Sequence, residues 1–177
     1  MKKNILMVVC AILFCSNVFA GDFDLTSGRS AWRSALKQKA NVYVEIDWSK
    51  CEYDNDELVK EYWEEEDYEE ITDKVLESFI EKFNDKSKRL KAVEEKKGAK
   101  YKMVINMSNV DTFFSAVNFS LPGYKGKIWG SVKVIEVSSG NTIMEAEFDE
   151  IKGGRDFVRN DCYAKAFEDL AKELTDF

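Results

Sequence analysis

The chain of 177 residues contains no histidine. That absence removes Ser-His and Cys-His nucleophilic catalysis, histidine metal sites and imidazole acid–base work near neutral pH. Proline occurs once, at Pro122, and no proline- or glycine-rich stretch divides the chain into separate domains. Cysteine is scarce, with four in all. Two of them, Cys10 and Cys15, lie in or beside the N-terminal apolar run, so the remainder of one chain lacks the ligands for a zinc site built from four thiolates. After that run no apolar stretch is long enough to cross a bilayer. Positive charge is in deficit, 26 Lys and Arg against 33 Asp and Glu.

The first twenty residues have the form of an export signal. Met1-Lys2-Lys3 is a short basic n-region, Ile5 to Phe14 is an apolar run of h-region length, and Val18 and Ala20 stand at the −3 and −1 positions before Gly21. The pattern predicts a signal peptide over residues 1–20, cleaved after Ala20, and hence a periplasmic or secreted bacterial protein. Val9 and Phe14 precede Cys10 and Cys15 where a lipoprotein signal needs a small residue, which argues against a lipid anchor. Loss of Lys2 and Lys3 takes the formal charge from −7 to −9. A net acidic surface disfavours nucleic acid and electrostatic adhesion to anionic lipid. Cys51 and Cys162 remain. An even pair in an oxidising compartment invites a disulfide; the alternative is two separate buried thiols, and geometry decides between them.

Beyond the signal, residues 21–40 read as a polar lead-in, with a helical turn around Ala31 to Leu36, and residues 41–177 as one domain. Asn41 to Trp48 alternates, with Val42, Val44 and Ile46 on one face, as a half-buried strand requires. Glu52 to Glu70 is an acidic insert, eleven acids against Lys60 alone, read as a loop or a loosely held helix. Ile71, Val75, Leu76, Phe79, Ile80 and Phe83 recur at helical spacing, and Asp67 with Glu70 has the spacing of a capping box. Residues 84–100 are charged and mixed. Three strands then follow: one from Tyr101 to Met107, one over Gly126 to Val137, and, after a Ser138-Ser139-Gly140-Asn141 turn, one over Thr142 to Ile151. Gly153-Gly154 breaks the last strand. Asp156 or Asn160 is placed to cap a final helix carrying Tyr163, Ala166, Phe167, Leu170, Ala171 and Leu174 on one stripe. The order β-α-β-β-β-α predicts an α+β fold, a four-stranded, mostly antiparallel sheet with two main helices packed on one face.

The segments "VYVEIDWS", "AKYKMVINM" and "GGRDFVRNDCYAKAFEDLAKEL" resemble a family of small secreted domains of unknown function found in Bacteroidetes. The matching positions are Glu45 to Ser49, Arg159 and Tyr163 to Ala166, and the acidic insert departs from the pattern. The architecture is also similar to that of the amino-terminal TolB-type and curli-secretion lipoprotein domains, which implies an envelope part. The resemblance brings no catalytic residues, metal or cofactor.

Ser34-Ala35-Leu36-Lys37 matches an S-x-x-K pair, but the companion motifs of that enzyme class are missing. Counted from Asp54, an EF-hand loop would place Asp56 third and Glu65 twelfth, yet Leu58 replaces an oxygen ligand and Val59 the glycine of the turn. A solvated acidic face is the simpler reading. Asn106 and Asn118 begin glycosylation sequons that a bacterial signal makes fortuitous. Residues 113–124 join two strands yet carry Phe113, Phe114, Phe119, Leu121 and Tyr124. Exposed together they would form a partner-binding patch; otherwise they extend the strands into the core. The sequence therefore points to an exported, non-enzymatic binding or envelope-accessory protein whose partner is another envelope or secreted protein. A carboxylate-only glycan hydrolase and an acidic cation-binding structural protein are the alternatives. No catalytic residue, metal ligand or cofactor is nominated.

Overall fold

The computed structural model describes residues 22–115, 123–158 and 160–176. The signal-peptide assignment, Phe119, Leu121 and Arg159 therefore lie outside the described residues. Twelve elements follow one another among them. They are β1 (Asp22–Ser27), α1 (Arg29–Leu36), β2 (Ala40–Asp47), β3 (Glu52–Tyr53), β4 (Glu57–Leu58), α2 (Val59–Tyr62), α3 (Glu65–Lys86), β5 (Leu90–Val93), β6 (Tyr101–Ser115), β7 (Gly123–Glu136), β8 (Thr142–Lys152) and α4 (Asp161–Thr175).

The main sheet runs β1-β8-β7-β6-β2-β5, with the short β3 paired to β6 and β4 to β3. This overturns the expected four-stranded, mostly antiparallel sheet with two helices. The sheet has eight strands and is mixed, because β2 lies parallel to both β5 and β6, and β3 parallel to β6. The strands that the sequence reading missed are all short or polar. In β5, only Leu90 and Ala92 are buried, too few positions for alternation to register.

The segment read as a lead-in is part of the body of the protein. β1 pairs antiparallel with β8, placing Phe23 opposite Phe148. The chain then turns at Gly28, whose φ of 80° and whose close approach to the Ile143 carbonyl leave no room for a side chain. α1 follows, burying Trp32 and Ala35. The Trp32 indole Nε1 donates to the Leu174 carbonyl at 2.8 Å, so the two ends of the described chain are fastened to each other.

Helix α3 buries Ile71, Val75, Phe79 and Phe83 at intervals of four, the stripe the sequence predicts. It begins earlier than expected. Glu64 occupies the N-cap without a side-chain bond, which puts Asp67 and Glu70 inside the helix instead of at its capping box. Helix α4 is capped neither by the side chain of Asn160, which is its N-cap residue, nor by Asp156, whose Oδ1 accepts from the Val158 N–H at 3.0 Å. α3 packs on α4, and α4 on β7 and β8. The helices lie on one face of the sheet, with Val44, Met103, Val134 and Met144 aligned beneath them across neighbouring strands.

The opposite face carries no helix. There Lys102 pairs with Glu45 at 2.9 Å, Lys133 with Glu145 at 3.0 Å and Lys127 with Glu150 at 3.0 Å. Alternation along each strand produces this division: apolar residues point to the helices and charged ones to water.

Candidate functional site

The long β6–β7 ribbon extends past the point where β2 ends, because β2 pairs with β6 only as far as Asn106. Beyond it the pairing of β6 with β7 continues to Ser115 opposite Gly123. The free flank of β6 is taken by β3, with Tyr53 opposite Val110. This end of the sheet gathers residues from the acidic insert, the ribbon and the approach to α4.

Phe114 stands opposite Tyr124 and meets its ring edge-on at 5.5 Å between centroids. Tyr124 also forms a two-bond bridge with Asp156, N–H to carbonyl at 2.8 and 2.9 Å, which brings Phe157 and Val158 to the same end. On the other flank, Tyr53 stacks on Tyr62 at 3.9 Å and its hydroxyl meets the Thr112 hydroxyl at 3.1 Å. Phe157 is 70% exposed, Phe114 59%, Val158 54%, Tyr62 40% and Leu58 37%. Among the described residues six large apolar side chains are exposed, and only Val137 lies elsewhere. Burial is the default for such side chains, so five at one end form an apolar rim. Phe113, Phe114 and Tyr124 of the expected patch are strand residues. Phe113 points to the opposite face, its ring 4.9 Å from the Lys127 ammonium. Sequence reasoning missed Leu58, Tyr62, Phe157 and Val158, which stand in short elements whose apolar residues show no periodicity.

The acidic insert is held from below. Val59 is fully buried and Trp63 nearly so. Trp63 lies 5.3 Å from Tyr163 and 6.0 Å from Trp48, and Trp48 is 5.8 Å from Phe167. The densest acids sit in a turn: Asp54 and Asn55, at φ 52° and 58°, join β3 to β4. The Asn55 N–H donates to Asn109 Oδ1 at 3.0 Å. Glu65, the twelfth position of a calcium loop counted from Asp54, opens α3 instead. The acids of the insert therefore surround the Leu58 and Tyr62 side of the rim.

Of the two readings open for Cys51 and Cys162, a disulfide or two separate buried thiols, the structure has the second. Neither cysteine is in a disulfide, and both side chains are fully buried in the core. Burial, with Glu52 adding to it, pushes the Cys51 thiol up to about 12. Thiolate is the reactive form. Native protein treated with iodoacetamide at about pH 8 should therefore leave Cys51 unmodified, and mass spectrometry should find it alkylated only after guanidinium unfolding. Fast native labelling would contradict this packing.

A second feature lies on the helix-free face. Asp47, Asn106, Ser131, Glu147 and Asp24 stand side by side across five strands. Asn106, Ser131, Glu147 and Asp24 border a cleft of about 600 Å³ walled by Trp129. The cleft's carboxylates, Asp24, Glu147 and Asp149, are exposed to water. Ser34 of the S-x-x-K pattern donates to the Ser30 carbonyl at 2.9 Å on the exposed side of α1, away from both features. Among the described residues no helix is long and apolar enough to cross a membrane.

No protein-family model matches this chain, and no curated protein matches it significantly. Among solved structures, the PelC dodecamer from Paraburkholderia phytofirmans is similar at 13% identity and a TM-score of 0.47, covering 88% of this chain and 97% of that one. A neuraminyllactose-binding hemagglutinin homolog from Helicobacter pylori is similar at 15% identity and a TM-score of 0.40, covering 77% of this chain and 87% of that one. Scores of this size carry no argument about ligand, assembly or activity.

Proposed function

We propose that the protein is an exported, non-catalytic binding module that engages another envelope or secreted protein through the apolar rim at the end of the β6–β7 ribbon. The observation that carries this reading is the gathering of Phe114, Phe157, Val158, Tyr62 and Leu58 at one end. Monomeric soluble proteins rarely leave such a cluster bare unless it serves an interface. Flanking acids, among them Asp54, Asp56, Glu57 and Glu61, give the rim a negative border. The partner surface that fits is an apolar anchor ringed by lysine or arginine, with the charges steering the encounter and the aromatics supplying the affinity.

A photo-crosslinking residue at position 157, in protein produced in its own host, should capture one defined partner; the same group at position 145 should not. The Phe114→Ser/Phe157→Ser double variant should lose that product while changing stability by no more than about 0.5 kcal/mol per site, as exposed positions do. Equal capture at position 145, or a collapse of the melting transition in the double variant, would remove the basis for the reading.

A further inference from the structure

The chain is acidic overall, but the end opposite the apolar rim is not. α3 has 22 residues and is about 33 Å long. It starts among the acids of the insert and ends beside a bay of about 730 Å³. Lys39, just before β2, and Asn41 within it form one side of the bay, and Lys88 and Arg89, between α3 and β5, form the other with Lys91 of β5. Among the described residues no carboxylate borders it.

Two of the four cations have local work. The Lys91 ammonium donates to the Asn84 and Ser87 carbonyls, both at 2.8 Å, and so closes the C-terminal end of α3. The Arg89 guanidinium donates to the Lys37 carbonyl at 3.2 Å, beyond the end of α1. Helix-terminal carbonyls attract cations, which accounts for this pair. Lys39 and Lys88 have no hydrogen bond or ion pair among the described residues, whereas lysines on the helix-free face are matched to glutamates. Four like charges around one concavity repel each other, and an anion placed between them removes that cost.

We propose that this bay binds an oxyanion of the phosphate-ester or pyrophosphate class. Lys39 and Lys88 supply the mobile charge, and Arg89, held by its carbonyl bond, presents the planar fork that suits phosphate oxygens. The anion reaches the bay either as a free solute or as a lipid headgroup. The site is independent of the apolar rim: it lies at the other end of α3 and shares no residue with it.

Isothermal titration of the protein purified from its own host with inorganic pyrophosphate should give a saturable heat that weakens as sodium chloride is added. The Lys39→Glu/Lys88→Glu pair should weaken it at least about tenfold, the scale of a lost charged contact. Both positions are exposed, and circular dichroism checks that the variant is folded. Lys96→Glu/Lys97→Glu makes the same change in net charge on a neighbouring loop and should leave the affinity within about twofold. Flotation with phosphatidylcholine vesicles doped with phosphatidic acid distinguishes the sources. Flotation competed by pyrophosphate assigns a headgroup; pyrophosphate heat without flotation assigns a free solute. Absence of both overturns the site, as does equal weakening by the control pair. So does a low-salt dimer dissociated by the Lys39/Lys88 reversals with no pyrophosphate heat, which would give the bay to the acidic end of a second copy.

Discussion

Replacing Trp32 with alanine is expected to remove about 3–5 kcal/mol of folding stability, the range for deleting a fully buried tryptophan. The side chain has no exposure to water and its ring centroid lies 6.3 Å from that of Phe83. It joins α1 to α3, and its indole N–H reaches Leu174 in the last turn of α4. The last four carbonyls of a helix lack intrahelical donors, so Trp32 closes α4 as well as filling the core. These two roles can be separated. Trp32→Phe keeps most of the apolar volume but loses the donor, and should cost about 1–3 kcal/mol, the scale of leaving a buried carbonyl unpaired. Urea titration should show both midpoints lowered in that order with the slope unchanged. A loss below about 1 kcal/mol for Trp32→Ala would mean that α1 adds little to the core.

The role of Trp32 is not legible in its local sequence. In the surrounding helix, RSAWRSAL, charged and hydroxylated residues alternate in pairs with apolar ones, and nothing in that composition says that one tryptophan spans three helices. β2, the α3 stripe, the three later strands and the α4 stripe were all readable because each repeats its apolar positions often enough to set a period. β1, β3, β4 and β5 have two to six residues each. Their pairing depends on a partner distant in sequence, and local pattern carries no record of that. The mixed sheet follows from the same limit. A strand's direction relative to its neighbours is set by the crossover that delivers it, and here α3 carries the chain from β2 to the parallel β5.

The candidate site divides in the same way. Residues 113–124 place large apolar side chains where a connection is expected, and Phe114 and Tyr124 do lie at the rim. Phe157 and Val158 carry no such signal. They sit in a stretch between a glycine pair and a helix, directly after the Tyr124–Asp156 bridge that fixes the backbone beside the ribbon. The acidic insert was expected to be loose because its charges dominate its composition. Val59 and Trp63 outweigh them: two buried side chains fasten the segment while the carboxylates remain in water.

Gly153→Ala is expected to cost about 3 kcal/mol, at the upper end for forcing extra atoms into a packed site. A Cβ at Gly153 would lie 2.3 Å from the Ala166 nitrogen and 2.7 Å from the Lys165 carbonyl carbon. Both are backbone atoms of α4 and cannot turn aside as a side chain would. One at Gly126 would lie 2.6 Å from the Cys162 carbonyl oxygen, and the Gly153 N–H donates to the Gly126 carbonyl at 3.0 Å. The two glycines form the seat on which α4 rests, one turn apart along the helix. The adjacent Gly154 has no neighbouring atom within 4 Å of the same position. Gly154→Ala should therefore change stability by no more than about 0.5 kcal/mol, with any gain coming from a stiffer unfolded chain. If the pair served only to break β8, the two substitutions would cost the same, and urea titration of both variants tests that directly. The Gly153 variant has a second consequence. Lifting α4 from its seat also moves Phe157 and Val158, so capture of a partner at position 157 should fall with stability in Gly153→Ala and persist in Gly154→Ala.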